Sequence, residues 1–359
     1  MPAMSAFAIG VDLGGTNLRI AAVDEKGTLL EKVTTGTQVT RGRDYVIAEM
    51  CDAIRDVSAK FKAGGRMIGA GIGVPGIIDK RTGMLRESPN LPGWENYPVR
   101  HEIERRLGAN VVLENDANSA AMGEAWLGAA RGAESMCMIT LGTGVGGGIV
   151  LNGRIWEGMT GMAGEVGHIT VDPAGPRCNC GNTGCAEQFA SATAVMRMAR
   201  EAISNGRAPE LARAATAHDV EFSAAVVYNL ALQGDQPARD IFARVGWALG
   251  ILLADLVNVL NLQMYVIGGG VSAAWSAFSP PMFEELRKRS MVYAATAPAE
   301  RVTPSSGASA EVATAPMGQP TIINQALLGS DAGLFGAARL PMLAAEIGER
   351  ASEGKRKLA

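Results

Sequence analysis

One short run, from Glu165 to Ser191, constrains the fold and function of this chain more than any other part of its sequence. The run reads EVGHITVDPAGPRCNCGNTGCAEQFAS and concentrates one histidine, three cysteines and two glutamates. One imidazole nitrogen and three thiolate sulfurs form a closed tetrahedral ligand set for a structural zinc ion. These ligands are His168, Cys178, Cys180 and Cys185. We therefore predict a metal-stapled loop that holds a binding site in shape.

Two carboxylates bracket this ligand set and suggest a polar ligand beside the metal. Glu165 comes just before His168, and Glu187 comes just after Cys185. The alternative is that both glutamates are ordinary charged residues of the protein surface. Their attachment to a rigid loop favours a role in binding, because metal ligation fixes the histidine tautomer and leaves its second ring nitrogen available.

Length, charge and cysteine content narrow the class of protein. A chain of 359 residues is too long for one ordinary core, so two domains are expected. The net charge of −3 offers no basic face for nucleic acid and no polybasic membrane signal. The start of the chain shows no secretory leader, and clustered cysteines fit a reducing compartment. We expect a cytoplasmic protein with neither nucleic-acid nor membrane partners.

A glycine-rich turn between two strands lies near the start of the chain. A strand at 7–11 runs into DLGGTN at 12–17, and the alternating residues that follow predict a second strand. The glycines do not open a helix, which argues against a dinucleotide-binding fold. A phosphate turn is the functional interpretation and a plain hairpin turn is the alternative. The candidate contacts are Gly14, Gly15, Thr16 and Asn17.

The same arrangement recurs further along the chain. A strand at 135–141 meets the turn GTGVGGG at 142–148, and a return strand begins at 149–151. Two matching hairpins predict a duplicated α/β unit, whose cleft could grip a polyphosphate through backbone N–H groups exposed by glycines. In the second turn the candidate contacts are Gly142, Thr143, Gly144 and Gly146.

Further elements are predicted from hydrophobic periodicity. Helices are expected at 45–62, 101–107, 117–127, 192–205, 211–217, 223–233 and 238–260, with strands at 67–74, 111–113 and 264–267. Asp255 lies within the most apolar run, which favours a buried helix over a membrane span. The stretch 295–320 is expected to be a long surface loop before a last helix at 331–339. Cys51 and Cys137 are predicted core residues.

Five motifs in order resemble the ROK family of sugar kinases, within the actin-like, hexokinase-like ATPase folds. They are DLGGTN, END at 114–116, LGTGVGGG, the GH-to-CxCGxxGC run and IGGGVS. The resemblance extends over the chain from about residue 9 to 339. PNLPGW and the ASATA after Glu187 are most similar to bacterial glucokinases. The resemblance implies a ribonuclease H-like duplicated α/β fold with two domains and a cleft. A smaller N-terminal domain is expected at 5–119, onto which a C-terminal helix near 341–353 could pack, and a larger domain with the zinc loop at 120–340.

The resemblance also implies roles for particular residues in phosphoryl transfer. Asp116 becomes the general base that orients and deprotonates a sugar hydroxyl, although local evidence alone would make it a helix N-cap. The resemblance implies that Asp12 lies on the Mg²⁺ side of the nucleotide. The alternative is that its carboxylate only supports a tight turn. The implied contacts with the adenosine part of ATP are Gly268, Gly269 and Gly270, where a crossover turn is the alternative.

The resemblance also implies which residues contact the sugar. They lie in the metal loop, in the END motif before the predicted helix and in two turns. Trp94 is expected to pack rather than stack on sugar. The implied substrate-binding residues are Gly76, Asn90, Asn115, Asp116, Glu165, His168 and Glu187.

The implied activity is ATP- and Mg²⁺-dependent phosphorylation of a hexose at its 6-hydroxyl, with glucose favoured and a structural Zn²⁺ in the loop. Kinases of N-acetylmannosamine, N-acetylglucosamine or fructose are the alternatives. A sugar-responsive repressor is less favoured, because eleven residues before Asp12 leave no room for a DNA-binding domain. A homodimer is expected.

Overall fold

Two five-stranded sheets with helices around them form the framework of the protein. The computed structural model describes residues 6–61, 64–88, 90–217, 221–298 and 319–357, with side chains as far as residue 349. In the described residues the strands are β1 (Ala6–Leu13), β2 (Asn17–Asp24), β3 (Leu29–Gly36), β4 (Arg66–Val74), β5 (Ile77–Asp79), β6 (Met84–Glu87), β7 (Val111–Asn115), β8 (Met136–Leu141), β9 (Val145–Leu151), β10 (Arg154–Ile155), β11 (Met264–Gly268) and β12 (Ile322–Gln325).

Helices account for most of the remaining described residues. They are α1 (Arg43–Ala59), α2 (Val99–Leu107), α3 (Asp116–Trp126), α4 (Glu187–Ala190), α5 (Ala192–Ser204), α6 (Pro209–Thr216), α7 (Ala224–Gln233), α8 (Gln236–Leu260), α9 (Trp275–Arg289), α10 (Met291–Thr296) and α11 (Ala332–Lys357).

The two sheets have the same kind of strand order. The first runs β3-β2-β1-β4-β7 and the second runs β10-β9-β8-β11-β12. In the first, β1 pairs antiparallel with β2 and parallel with β4, which pairs parallel with β7. In the second, β11 pairs parallel with β8 and with β12. A repeated order of this kind agrees with the duplicated α/β unit predicted from the two glycine-rich hairpins.

The chain divides into two compact units. The first comprises Met1–Glu134, Gly147–Gly164 and Leu327–Ala359, and the second comprises Ser135–Gly146 and Glu165–Ala326. The domain boundary that the sequence suggested near residue 120 stays a prediction.

The core of the first unit lies on both faces of its sheet. Buried residues of β1, β2, β4 and β7 pack with α1 and α2 in one cluster, and Ala21 and Val23 of β2 pack with Leu334 and Ala338 of α11 in another. The alternation along β2 follows from the two-residue period of a strand. Trp94 is 1% exposed and belongs to the first cluster, so its predicted packing role is confirmed.

Glycines let helix α11 lie unusually close to its neighbours in the first unit. A Cβ at Gly71 of β4 would stand 1.8 Å from the carbonyl oxygen of Ala337, and one at Gly10 of β1 would stand 2.2 Å from that of Leu334. Gly336 meets α3 in the same way, 1.6 Å from the carbonyl oxygen of Ser119. These strand and helix glycines therefore position the start of α11 beside the end of β1.

Helix α8 is the central helix of the second unit. It packs against α9, α7, α5 and α4. It is long and apolar enough to cross a membrane, but 61% of its most apolar window is buried inside the protein, which is typical of a core helix. Gly246 and Gly250 admit the backbone of α9 at close range.

Several elements differ from the sequence-based predictions. Gly146 and Gly148 were assigned to a turn but lie within β9, since Gly148 leaves room for α3: a Cβ there would be 2.7 Å from that of Ala121. The short strands β5, β6 and β12 were not predicted. Helix α10 occupies part of the stretch expected to be a loop at 295–320, and residues 299–318 lie outside the described part.

Candidate functional site

The first glycine-rich turn connects β1 to β2 and is braced by Thr37, the residue after β3. The Gly14 N–H donates to the carbonyl oxygen of Asn17 at 2.9 Å, and the Thr37 hydroxyl donates to that of Gly14 at 2.6 Å. Thr16 and Asn17 are exposed. The turn therefore presents its tip to solvent while hydrogen bonds fix its base.

Asp12 lies near the end of β1 and faces Arg19 across the hairpin. The two residues are register partners, and Arg19 Nη1 lies 2.8 Å from Asp12 Oδ2. Burial raises the pKa of the Asp12 carboxyl, the Arg19 cation opposes this rise, and Asp331 adds to it. Gly333 of α11 also lies against this carboxylate. A half-buried carboxylate beside the turn could hold water of a hydrated cation.

The end of β7 carries Asn115 and Asp116 into the first turn of α3. The Asn115 side-chain oxygen accepts from the backbone N–H groups of Ala117 at 2.9 Å and Asn118 at 3.2 Å, so Asn115 is the N-cap. The alternative that made Asp116 the cap is therefore wrong. Asp116 is the first helical residue and is exposed, and its Oδ1 accepts from the Ala117 N–H at 2.9 Å.

Two predicted sugar-binding turns belong to the same unit as Asn115 and Asp116. Gly76 has φ +120°, and a Cβ there would stand 2.0 Å from the carbonyl oxygen of Glu87, so a side chain at this position would strain the backbone and force it to shift. Its own carbonyl oxygen accepts from Asn115 Nδ2 at 3.3 Å. The backbone of Asn90 lies close to Gly15, 2.9 Å from the position of a Cβ there. The fold thus brings Gly76 to Asn115 and Asn90 to the first glycine turn.

The four predicted zinc ligands converge in the second unit. The ligand atoms of His168, Cys178, Cys180 and Cys185 all lie within 4.8 Å of one another. His168 Nδ1 is 3.6 Å from Cys178 Sγ, and the sulfurs of Cys180 and Cys185 are 3.7 Å apart. One nitrogen and three sulfurs at such separations fit a tetrahedral zinc ion.

Glycines at two positions allow the cysteine loop to close. Gly181 has φ +95° and donates its N–H to the carbonyl oxygen of Cys178 at 3.0 Å, which turns the chain between the cysteines. Gly184 has φ +71°, and a Cβ there would stand 1.6 Å from the carbonyl oxygen of Asp172. Both conformations favour glycine, so the CxCGxxGC spacing has a backbone cause as well as a metal-binding one.

The two flanking glutamates have different surroundings. Glu187 accepts from the Val145 N–H at 3.0 Å, and its other oxygen is 3.8 Å from Cys178 Sγ. It therefore ties the cysteine loop to the second glycine turn. Glu165 is exposed, and its Oε2 is 3.9 Å from His168 Nε2, the nitrogen that faces away from the sulfurs. Glu165 and His168 Nε2 remain accessible to a polar ligand.

The second glycine turn and the GGG motif meet at one cavity within the second unit. The cavity has a volume of about 380 Å³, and Gly142, Thr143 and Gly270 line it. A Cβ at Gly270 would have open space, whereas Gly268 packs on Met138 and Gly269 has φ +84° against the backbone of Leu141. Of the three glycines, Gly270 alone lies at the cavity wall. Apolar walls beside exposed backbone suit a planar base and its phosphates.

Sequence reasoning missed several residues that shape these sites. Tyr228 and Phe242 line the cavity from α7 and α8, and no local motif marked them. Lys80, which is partly exposed, and the buried Glu114 form an ion pair behind α3. Glu114 could have been found in the sequence as a carboxylate inside a strand that is otherwise apolar. Arg19, which was also missed, could have been found from its position opposite Asp12 in the predicted hairpin.

Comparisons with known proteins agree on one family. A model described as the ROK family matches residues 8–342. The chain is 38% identical over 332 residues to a glucokinase of Thermotoga maritima, which covers 92% of this chain and 96% of that protein. A ROK hexokinase structure from Thermus thermophilus matches with a TM-score of 0.74 and 32% identity, over 95% of this chain and 99% of that one. A ROK family glucokinase from Streptomyces griseus, solved with glucose and AMPPNP, matches with a TM-score of 0.68 and 32% identity, over 93% of this chain and 98% of that one.

Proposed function

The chain belongs to the ROK family, and we propose that it is an ATP-dependent glucokinase that phosphorylates glucose at the 6-hydroxyl. Its fold is the actin-like, hexokinase-like α/β fold that the motifs predicted. Similarity to a glucokinase along nearly the full length of both chains supports glucose over the other sugars considered.

The arrangement at the start of α3 carries the proposal. Asn115 caps the helix and leaves Asp116 exposed on its first turn, next to Gly76 and its constrained turn. Phosphoryl transfer requires a carboxylate that orients the acceptor hydroxyl and takes its proton. We assign this role to Asp116. Asn115 Nδ2 and the backbone at Gly76 and Asn90 are the proposed partners of neighbouring sugar hydroxyls.

The nucleotide is assigned to the cavity of the second unit and to the glycine turns. Gly142, Thr143, Gly144 and Gly146 are proposed to serve the phosphates. Gly270 is proposed to contact the base and ribose, with Gly268 and Gly269 shaping the turn that carries it. The turn at Gly14, Gly15, Thr16 and Asn17 is proposed to donate to phosphate as well. Mg²⁺ neutralises charge on the transferring phosphoryl group when bound, and Asp12 is the carboxylate proposed to hold it through water.

The cysteine loop is assigned to sugar recognition rather than to chemistry. Four protein ligands close the coordination shell of zinc, which leaves no open position for a reactive water. The proposed task of the metal is to hold His168 so that Nε2 faces outward beside Glu165. Glu187 is proposed to accept from a sugar hydroxyl in addition to its bond with the Val145 N–H. We further propose a cytoplasmic homodimer.

A sugar panel tests the proposed specificity. With MgATP, ADP formation is measured by a coupled spectrophotometric assay on glucose, mannose, fructose, N-acetylglucosamine and N-acetylmannosamine. We expect glucose to give the highest kcat/KM. A higher kcat/KM on an N-acetylhexosamine or on fructose would overturn the assignment of glucose, and no turnover on any sugar would overturn the kinase assignment.

A further inference from the structure

The carboxylate of Glu114 lies directly behind the proposed catalytic residues. Its side chain is 3% exposed. Glu114 Oε1 accepts from the backbone N–H of Asn115 at 2.8 Å and from Asn118 Nδ2 at 3.1 Å. One oxygen therefore holds both the N-cap residue of α3 and a residue of its first turn.

Lys80 supplies the positive charge for this buried carboxylate. It lies in the turn between β5 and β6, and its Nζ contacts Glu114 Oε2. The same ammonium donates to the carbonyl oxygen of Leu113 at 3.0 Å and lies 3.4 Å from Glu157. The Lys80 side chain is 22% exposed, so the pair is mostly withdrawn from water. A buried carboxylate of this kind is costly unless it is paired and hydrogen-bonded.

Arg100 fixes the turn that carries the lysine. Its Nη1 donates to the carbonyl oxygen of Lys80 at 3.1 Å and its Nη2 to that of Arg81 at 3.2 Å. A cavity of about 390 Å³ lies beside Lys80, Arg100 and Glu114. The ammonium is thus held by a braced turn, and an arginine at position 80 would have room.

We propose that the Lys80–Glu114 pair is the positioning element for Asp116, an inference that rests on the proposed function. Glu114 fixes the Asn115 N–H, while the Asn115 side chain fixes the N–H groups of the first turn of α3. Asp116 begins that turn. A shift of about 1 Å in a reacting group can lower turnover on the order of 100-fold, so the pair acts on kcat without touching substrate.

Four variants test this inference by steady-state kinetics with glucose and MgATP. Lys80→Met leaves the carboxylate without its cation, and we expect kcat to fall on the order of 10-fold to 100-fold with KM for ATP unchanged. Lys80→Arg should restore most of kcat. In Lys80→Met/Glu114→Gln the amide oxygen can still accept from the Asn115 N–H and no buried charge is left, so it should turn over faster than Lys80→Met. Lys60→Met removes a comparable but exposed pair with Glu31 and should match wild type.

Amide hydrogen exchange at 115–118 provides a second readout that does not depend on turnover. We expect faster exchange there in Lys80→Met and protection near the wild-type level in Lys80→Arg. Wild-type kcat and unchanged exchange in Lys80→Met would overturn the inference while leaving the kinase assignment intact. A wild-type protein that phosphorylates no sugar would instead overturn the proposed function, and with it the catalytic meaning of the pair.

Discussion

Three consecutive residues at the end of β7 have three separate tasks. Glu114 is buried and accepts from the backbone and side chain of its neighbours, Asn115 caps α3, and Asp116 is exposed on the first helical turn. The order follows from the strand-to-helix transition, where one side chain turns inward, the next satisfies free N–H groups and the third reaches solvent. Asn115 supplies the cap, and the carboxylate to which the base role is assigned follows it on the exposed first helical residue, Asp116.

Asp116→Asn should separate catalysis from stability. The substitution keeps the size of the side chain and an oxygen that can accept from the Ala117 N–H, but it removes the basic carboxylate. We expect kcat for glucose to fall by about 100-fold or more, the scale of general-base catalysis. The melting temperature should stay near that of wild type. Asp56→Asn, at an exposed position of α1, is the matched control. Near-normal kcat in Asp116→Asn would remove Asp116 from its proposed role.

Asp12 should give the protein a pH dependence opposite to that of Asp79. Burial raises the pKa of Asp12, so in the folded state it binds a proton more readily than in the unfolded chain. Its contribution to the free energy of unfolding is present below its ordinary pKa of 3.8 and is lost as the pH rises through the raised value. Asp12→Asn cannot ionise, so its stability relative to wild type should increase with pH above about 4.

Asp79 should change the free energy of unfolding with pH in the opposite direction. The hydrogen bond from Arg86 lowers the pKa of Asp79 from 3.8 to about 2. Its stabilising contribution is therefore present above pH 3.8 and lost as the pH falls towards 2. Urea unfolding of both asparagine variants between pH 2 and 7 measures the two slopes. Slopes of the same sign would contradict the burial of the Asp12 carboxylate.

At the scale of elements, glycines decide how closely α11 packs in the first unit. The strands β1 and β4 and helix α3 each contact α11 at a glycine, where no side chain separates the two backbones. Sequence periodicity predicted the strands and helices, because alternation and apolar faces are local properties. It did not predict the close packing, since a glycine inside a strand can equally mark a bulge or a turn. The misassigned Gly148 in β9 has this same cause.

Two Gly→Ala substitutions in α11 should have opposite effects. At Gly336 a Cβ would stand 1.6 Å from the carbonyl oxygen of Ser119, so backbone must shift. We expect a loss of about 2 kcal/mol or more in the free energy of unfolding, as for overpacked cores. At Gly348 nothing lies within 4 Å of the new Cβ, and alanine should stabilise the helix by about 0.5 kcal/mol. Equal effects in denaturant unfolding would contradict the close contact between α11 and α3.

The cysteine loop is the element for which the sequence was most informative. Its four ligands and two glycines act within one short segment, so local spacing was enough to bring the donors together. The spacing of the motif could not predict the hydrogen bond from the Val145 N–H to Glu187, because this bond joins segments that are far apart in the chain. The sugar-facing role of Glu187 stays a prediction.

Metal removal should expose three thiols and no more. Burial raises the pKa of Cys51 to about 11 and that of Cys137 to about 12, so both should stay protonated and unreactive at pH 8. We expect one zinc per purified chain, and about three additional reactive thiols after chelation. KM for glucose should rise as the loop loosens. Absence of stoichiometric zinc, with the three loop thiols reactive before chelation, would refute the metal assignment.

At the scale of the whole molecule, the sequence predicted the duplicated α/β fold from two matching hairpins, and the sheet orders agree with it. The roles of single residues followed from family resemblance rather than from pattern, since Asp116 alone could have been a cap. The cavity beside Gly142 and Gly270 could not be predicted, because residues from α7 and α8 complete it only after folding. A site could thus be predicted from the sequence where its residues lie close together in the chain, as the zinc ligands do.

The most direct test of the central claim is to identify the product by ³¹P NMR after incubation of the protein with glucose and MgATP. The account predicts a monoester resonance that shows coupling to the C6 protons of glucose, with ADP formed in equal amount. The Asp116→Asn variant should give that product far more slowly. Phosphate on another hydroxyl would contradict the assigned acceptor, and ADP without any phosphorylated sugar would contradict the claim that this chain is a glucokinase.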